Sequence, residues 1–216
     1  MNTLKFSLRF SFNLGLLLLL AAGLSSLKPL DSETRSFQIL SQSQLYLEGS
    51  SNVAPFTCRC TQSFPPLQYT AIAQNNNKAA IAFRNTALQL QTNKLDCGNR
   101  GMNRDMQETL KAAQYPAITM RLLEASPEKG KAADSQGWKT LKAKAYLTIA
   151  GVERLASFEV SARESGKGEY RFVSAFPVKM TDYSITPPTA LMGLIKVDDQ
   201  IEIHMDLAVR VEGSSF

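Results

Sequence analysis

Histidine is almost absent from this chain, which has one such residue, His204, among 216. Histidine is the usual general base of hydrolases that use a serine or cysteine nucleophile, so an enzyme of that kind would have to use His204. The residue falls on the polar face of a predicted strand. We interpret Asp182, Asp198 and Asp199 as turn residues. The sequence therefore predicts no catalytic function, and a hydrolase built on His204 is the enzymatic alternative.

Cysteine is scarce as well, with Cys58, Cys60 and Cys97 as its only representatives. Side chains two residues apart on a strand point the same way, so Cys58 and Cys60 are not expected to bond each other. In an oxidising compartment, one of them is expected to pair with Cys97 and to leave one free thiol. The cysteines and His204 amount to four possible zinc ligands, but their spacing is not that of a zinc motif. We expect no bound metal and no cofactor.

No apolar run reaches the roughly 20 residues that a membrane-spanning helix needs. The apolar stretch FNLGLLLLLAAGL follows Lys5 and Arg9 and includes small residues at 21–23. This order is typical of a cleavable secretory signal peptide, here residues 1–23, and a membrane anchor is the alternative. Leu24 stands where a lipid-anchored protein would need a cysteine. We therefore predict a periplasmic or secreted protein with no stable membrane anchor after cleavage.

Blocks of lysine or arginine are also missing. Removing the signal peptide, which holds one Lys and one Arg, lowers the formal net charge from +5 to +3. The sequence therefore predicts no basic patch for nucleic acid or for a membrane. Hydrophobic residues make up 44% and charged residues 20% of the chain, as in an ordinary globular protein.

Alternation with a period of two dominates the chain from Gln44 onward. In LKAKAYLTIA and IEIHMDLAVR, apolar residues occupy one face and polar residues the other. One-sided strands of this kind are typical of antiparallel sheets with one solvated face. Further strands are predicted in LYLEGSSNVAPFTCRC, KAAIAFRNTALQL, RLASFEVSA and YRFVSAFPVKM. We predict a single domain over 44–216, preceded by a loose Ser/Gln-rich leader over 24–43.

The stretch LDCGNRGMNRDMQETLKAAQYPAITM interrupts this pattern with a predicted helix. Asn103 is a plausible N-cap, and Asp105 would lie in the first turn, where negative charge suits the helix dipole. One face carries Met102, Met106, Leu110 and Ala113. The helix is expected to end before Tyr115, because the residue that precedes a proline is disfavoured in the helical region.

Many antiparallel strands with one or two short helical insertions predict an all-β protein, either a closed barrel or a sandwich. A small barrel is filled by its own side chains, whereas a slightly larger one encloses a ligand. Both possibilities are compatible with the sequence pattern.

Three segments, in this order, resemble the YceI-like family of bacterial secreted proteins. The first is the helical stretch, where Arg104–Asp105, Tyr115–Pro116 and Ile118–Thr119 carry the likeness. The second, AYLTIAGVERLASFEV, is similar to a hairpin of the family through Leu147–Ile149 and Gly151.

The third segment is FPVKMTDYSITPPTALMGLIKVDDQIEIHMDL. Its Asp182–Tyr183 step, Pro187–Pro188 loop and final strand from Val197 to Ile203 resemble the end of the family domain. The likeness covers about Leu45 to Val209. One departure is SNVAPFTCRC, which stands where many members have a Phe-x-Val-x-His strand.

The resemblance implies a lipocalin-like antiparallel barrel with an apolar tunnel, a periplasmic location and no catalytic residues. Its ligand would be a long-chain isoprenoid or another lipid-like amphiphile, and the protein would act as a carrier or reservoir. The cysteines would tie the altered strand to the segment before the helix. We predict Cys58–Cys97 as the disulfide, with Cys60 as the alternative partner of Cys97.

Candidate ligand-binding residues follow from this likeness and from the inward side of the predicted strands. They are Phe83, Met102, Met106, Leu110, Leu147, Phe158, Phe172, Met180, Tyr183, Leu191, Met192 and Leu194. Arg104 and Lys179 are candidates for a polar head group, since both are cationic. The alternative is that these side chains simply fill a solid core. A solid barrel or sandwich would then act as a structural or protein-interaction module, and a homodimer is compatible with either interpretation.

Overall fold

A computed structural model describes residues 32–74, 77–128 and 130–212, all within one compact unit. Nearly every element is an antiparallel strand, as the alternation predicts, so the all-β fold is confirmed. The strands are β1 Ser32–Ile39, β2 Gln44–Ser51, β3 Pro55–Cys60, β4 Leu67–Gln74, β5 Asn77–Arg84, β6 Ala87–Gln91, β7 Leu95–Asp96, β8 Ala117–Pro127, β9 Lys139–Ile149, β10 Val152–Gly166, β11 Glu169–Lys179, β12 Thr189–Ala190 and β13 Ile195–Val211. The α-helix α1 spans Arg100–Thr109, and 3₁₀ turns span Thr92–Lys94 and Met180–Tyr183.

Eight strands close into a ring in the order β1–β4–β5–β8–β9–β10–β11–β13, and β13 pairs back onto β1. The closing pairs include Phe37 with Val211 and Ile39 with Val209. A ring of about eight strands leaves an interior that side chains can fill or that can hold one small ligand. The predicted closed barrel is therefore the observed architecture.

Two long strands change partners along one edge. Strand β13 pairs with β1 near Val209 but with β2 between Val197 and Asp206. Strand β8 pairs with β6 over Ala117–Arg121 and with β5 farther along. At one end of the barrel the wall therefore includes β2, β3, β6 and β7 in place of β1, β4 and β5.

The amide side chain of Gln62 ties this second part of the wall together. Its nitrogen donates to the Gln89 carbonyl at 2.9 Å, and its oxygen accepts from the Gln91 amide at 2.8 Å. Gln62 follows β3 and its two partners lie on β6, so the contact joins two strands that are not paired neighbours.

Two expectations about strands are corrected. Residues 32–39 do not form a loose leader, because as β1 they complete the ring of strands. Their Ser-rich sequence has little apolar alternation, so the sequence pattern did not predict this strand. The segment KAAIAFRNTALQL is not one strand but most of β5 and most of β6, separated at Asn85, whose φ is 55°. The predicted signal peptide at 1–23 lies outside the described residues and stays a prediction.

The inner and outer faces follow the alternation. On β9, Ala143, Ala145 and Leu147 are buried inside. On the outer face Lys144 forms an ion pair with Glu124 at 2.8 Å. Within the described ranges, no α-helix has the length and apolar character needed to cross a bilayer.

Helix α1 begins earlier than predicted. Its N-cap is Asn99, whose side chain accepts hydrogen bonds from the backbone of Gly101 at 2.8 Å and Met102 at 3.3 Å. The expected cap, Asn103, lies inside the helix. Its oxygen accepts from the Cys97 amide at 2.7 Å, and its nitrogen donates to Asp96 at 2.9 Å.

Two further details of the predicted helix are wrong. Asp105 lies beyond the first turn, and Ala113 lies beyond the last helical residue, Thr109. The chain leaves the helix through Lys111, whose φ of 53° is left-handed.

Tyr115 lies in the loop after α1, which has already ended at Thr109, and packs on a tight turn. The β9–β10 hairpin turns through Ala150 and Gly151 with φ values of 47° and 80°. Two residues with positive φ match the twist of the adjoining strands. A Cβ at Gly151 would come within 2.4 Å of the Tyr115 ring, so glycine is required there for space as well as for φ.

We expect Gly151→Ala to destabilise the barrel more than Gly137→Ala does. Gly137 has a similar φ of 82°, but no atom lies within 4 Å of its hypothetical Cβ. The control should therefore lose only the ~1–2 kcal/mol typical of a left-handed L-residue. Gly151→Ala should lose a further ~1–3 kcal/mol from the clash. Denaturant unfolding of both variants measures the difference, and equal losses would contradict the contact with Tyr115.

Candidate functional site

The end of the barrel beside α1 contains a cavity of about 950 Å³. Residues from β2, β3, β6, β8, β9, β11 and β13 form its wall, together with α1 and the segment around Tyr183–Leu191. Leu191 and Met102 line the cavity and are themselves 68% and 39% exposed, so they mark its mouth. The volume is at the upper end of the ~300–1,000 Å³ typical of ligand pockets, and the lining is mostly apolar, as such pockets are.

The inside of the barrel is filled on one side of this cavity. Phe158 stacks on Phe176 with ring centroids 4.3 Å apart, and neither ring belongs to the cavity wall. Leu147 and Ile149, farther along β9, do line the cavity. The two expected states, filled and hollow, therefore occur in one barrel at different levels.

Strands β2 and β3 contribute a flat apolar part of the wall. Gly49 lies directly opposite Phe56 in the pairing of these strands. A Cβ at Gly49 would come within 2.4 Å of the Phe56 ring and 2.7 Å of Ile201. The missing side chain thus lets the ring lie across β2, and both Phe56 and Ile201 face the cavity.

Helix α1 forms another part of the wall through Met102, Met106 and Leu110. No residue of the helix is fully buried, so packing alone does not fix its position. It is attached at its N-terminal side, where a disulfide joins Cys97 to Cys58. The Met106 sulfur lies 3.7 Å from Cys97 Sγ, which places the methionine face against the disulfide. Methionine adapts to irregular apolar surfaces, and this suits a wall that must fit a ligand.

The choice of cysteines in the disulfide follows from strand register. Cys60 lies opposite Leu95, and Arg59 lies opposite Asp96, so the next position, Cys58, faces Cys97. The predicted Cys58–Cys97 disulfide is confirmed, and Cys60 is the free cysteine. Burial raises the pKa of the Cys60 thiol, and the Gln62 amide that donates to its sulfur opposes this only in part. Cys60 is therefore a weak nucleophile near neutral pH.

The 3₁₀ turn Met180–Tyr183 borders the mouth and is fixed to β13. Asp199 accepts hydrogen bonds from the Thr181 amide at 2.9 Å and from its hydroxyl at 2.7 Å. These bonds favour the ionised carboxylate and lower the pKa of Asp199. Tyr183, the last residue of this turn, is buried and lines the cavity, and burial together with the charge of Asp182 raises its pKa.

Among the described residues, two cationic side chains line the cavity. Arg104 is 73% exposed and forms ion pairs with Asp105 and Glu108 on its own helix. Lys179 ends β11, is exposed and forms no ion pair within 4 Å among the described residues. Lys179 is therefore the more available of the two for an anionic group of a ligand.

The structure brings most of the predicted site residues to this cavity. The wall includes Met102, Arg104, Met106, Leu110, Leu147, Lys179, Met180, Tyr183 and Leu191. Met192 and Leu194 are not part of the wall but adjoin Leu191 on the outside, where they are 107% and 74% exposed.

Three predicted lining residues lie elsewhere, and this corrects their expected role. Phe158 is buried in the stacked pair with Phe176. Phe172 packs against Tyr170 on β11, with ring centroids 6.3 Å apart. Phe83 contacts Tyr69 on β4, with centroids 6.4 Å apart. All three are apolar strand residues, but the strand period does not distinguish the filled part of the interior from the hollow part.

Several lining residues were not among the candidates. They are found mainly on β2, β6, β8 and β13: Leu45, Leu47, Leu88, Leu90, Ile118, Met120, Val197, Ile201, Ile203 and Met205. Alternation could have placed most of them on an inner face. Their grouping around one space depends on the partner changes of β8 and β13, which no local pattern reveals.

His204 lies on the outer face of β13 and is not among the residues that line the cavity. Its ring stacks on Tyr46 at 4.6 Å, and its Nε2 lies 3.2 Å from Glu48 and 3.3 Å from Glu202. In the described part of the chain, the His204 imidazole and the carboxylates of Glu48 and Glu202 are close enough to hold a metal ion together. They involve no cysteine, so the four-ligand zinc alternative does not form.

The family model of the YceI-like domain matches residues 53–209. The chain belongs to the YceI-like family. Among solved structures it is similar to BcnA from Burkholderia cenocepacia, with 15% identity, a TM-score of 0.57 and coverage of 77% of this chain and 95% of that chain.

A second similar structure is a polyisoprenoid-binding domain from Saccharophagus degradans that is implicated in plant cell wall breakdown. It has 13% identity and a TM-score of 0.56, with coverage of 81% of this chain and 97% of that chain. At these identities the two structures show a shared fold. No curated protein sequence matches the chain significantly.

We expect the Cys58→Ser/Cys97→Ser double variant to lose ~2–4 kcal/mol of unfolding free energy, because the disulfide closes a loop with a sequence separation of 39. Cys60→Ser is the control and should change stability far less. Unfolding with and without reductant measures both. Two results together would contradict the assignment. The Cys60→Ser variant would lose the part of the unfolding free energy that reductant removes from the wild type, and non-reducing peptide maps would show Cys60 in the disulfide.

Proposed function

We propose that this protein is a non-catalytic binding protein for a long-chain isoprenoid or a similar lipid-like amphiphile, which it carries or stores. The observation that carries the proposal is the cavity of about 950 Å³ with its predominantly apolar lining. Water in such a space forms few hydrogen bonds with the apolar wall. An apolar chain that enters it removes both its own surface and the surface of the wall from water, which is favourable.

The shape of the site agrees with an amphiphile. The apolar wall would bury a hydrocarbon chain at about 25 cal/mol per Å² of apolar surface. Among the lining residues that the structure describes, charged side chains are found on α1 and at Lys179, which ends β11. A ligand with one polar end and a long apolar body would match this distribution.

The similar domain from Saccharophagus degradans is described as polyisoprenoid-binding, which supports this ligand class. An exported location is part of the proposal, because the predicted signal peptide would deliver the chain to an oxidising compartment where the Cys58–Cys97 disulfide persists.

Met106→Asp should weaken binding of a fluorescent isoprenoid or fatty-acid analogue at least ~10-fold, because it brings a charge to an apolar wall. Leu155→Asp is the control, since Leu155 is 59% exposed on the barrel surface and lies outside the cavity wall. Fluorescence titration gives the affinities, and thermal unfolding confirms that both variants are folded. Equal affinities for the wild type and Met106→Asp would contradict the cavity as the site.

Lys179→Gln should lower affinity for an isoprenyl phosphate by ~3–10-fold, as expected for the loss of one partly exposed charged contact. Affinity for the uncharged isoprenol should stay the same, because the alcohol offers no anion to the lysine. Lys139→Gln on β9, which does not line the cavity, is the control. Competition titrations measure the two ligands in parallel. An equal loss for both would show that Lys179 acts through packing and not as a head-group contact.

A further inference from the structure

Exposed apolar side chains are concentrated around the cavity mouth. Seven large hydrophobic residues are exposed among those that the structure describes, and five of them line or adjoin the mouth. These five are Val53, Met102, Leu191, Met192 and Leu194. Scattered single residues of this kind are normal on a protein surface, but a contiguous group marks an interaction site.

Four of them lie on two neighbouring loops, which we call the apolar tip: Val53 between β2 and β3, and Leu191, Met192 and Leu194 between β12 and β13. The Asn52 side chain joins the loops, since it donates to the Leu194 carbonyl at 2.9 Å and accepts from the Lys196 amide at 2.7 Å. Main-chain bonds from Gly193 to Ala190 and from Leu194 to Leu191 close the turn. The conformation of the tip is therefore fixed by hydrogen bonds within and between its two loops.

The backbone of the tip directs its side chains outward in an unfavourable conformation. Leu191 and Met192 have φ values of 49° and 56°, in the left-handed region that large L-residues rarely adopt. Met192 is 107% exposed, so it protrudes at the apex and contributes no packing to the barrel. A convex apolar apex of this kind fits a soft medium that can surround it better than a rigid protein groove.

The charges around the tip suit the phosphates of lipid head groups. Residues 184–195 contain no ionisable side chain. Lys179 and Lys196 lie on the strands that adjoin this segment, and neither forms an ion pair among the described residues. Of the carboxylates at the start of β13, Asp198 accepts from Ser50, and Asp199 accepts from Thr181, while the charge of Lys179 contributes to the lowered pKa of Asp199. Lys196 is thus available to an external anion, and so is Lys179 apart from its longer-range attraction to Asp199.

We propose that the apolar tip docks into the surface of a phospholipid bilayer. Leu191, Met192, Leu194 and Val53 would enter the boundary between head groups and acyl chains, and Lys179 and Lys196 would meet the phosphates. Leu191 belongs both to the tip and to the cavity wall, so docking sets the mouth against the lipid. This inference rests on the proposed function for the cargo, which would pass between bilayer and cavity without crossing water.

Co-sedimentation of the full chain with phosphatidylcholine vesicles, with and without phosphatidylglycerol, tests the docking. We expect the wild type to bind, and the tip variant Met192→Ser/Leu194→Ser to bind at least ~10-fold less, because two apolar side chains no longer enter the lipid. Leu155→Ser removes an exposed leucine outside the cavity mouth and should bind like the wild type. No vesicle binding by the wild type, or equal binding by the tip variant, would overturn the proposal.

Two further measurements separate the alternatives. Light scattering after gel filtration shows whether the tip instead joins two copies, and a dimer that the tip variant disrupts, without vesicle binding, would overturn the proposal. Titration with a soluble fluorescent isoprenoid tests the cavity independently. The tip variant should keep this affinity, because neither Met192 nor Leu194 lines the cavity. Vesicle binding without isoprenoid binding would refute the proposed function and leave the docking in place.

Discussion

One edge of β13 forms hydrogen bonds with β1 at one end of the strand and with β2 at the other, and the rest of the structure depends on this division. A strand of 17 residues is long enough to pair with one neighbour at each end of the same edge. Because β8 does the same on the far side, the barrel has two different walls along its length. One end is closed by the eight-strand ring. The other end is completed by β2, β3, β6 and β7, and the cavity lies against this second wall.

The weakest part of that second wall is where β3 meets β7, a strand of only two residues. The Cys58–Cys97 disulfide extends this short pairing covalently, and the chain then continues directly into α1. The helix that bears Met102 and Met106 is thus positioned by a cross-link at its base rather than by burial. Closure of the wall, placement of the methionine face and the size of the cavity are consequences of the same local register.

Sequence patterns predicted the parts of this structure that depend on neighbours along the chain. The period of two identified the inner faces of β9 and β13, and the spacing of Met102, Met106 and Leu110 identified the cavity side of α1. Features set by distant partners were not predictable in this way. Phe158 and Leu147 both occupy inward positions in the alternation of their strands. Phe158 nevertheless packs on Phe176, whereas Leu147 lines the cavity. Residues 32–39 are a strand because β4 and β13 offer them open edges, although their own sequence is polar. Asn99 rather than Asn103 caps α1, because Asn103 bonds to Cys97 and Asp96.

Whether the hollow end of the barrel holds an amphiphile can be measured by non-denaturing mass spectrometry of the chain purified without detergent. We expect a species heavier than the disulfide-bonded polypeptide, whose additional mass is recovered by organic extraction as an isoprenoid or a related lipid. A polypeptide that carries no such mass, and that takes up neither isoprenol nor isoprenyl phosphate when these are supplied, would contradict the proposed function.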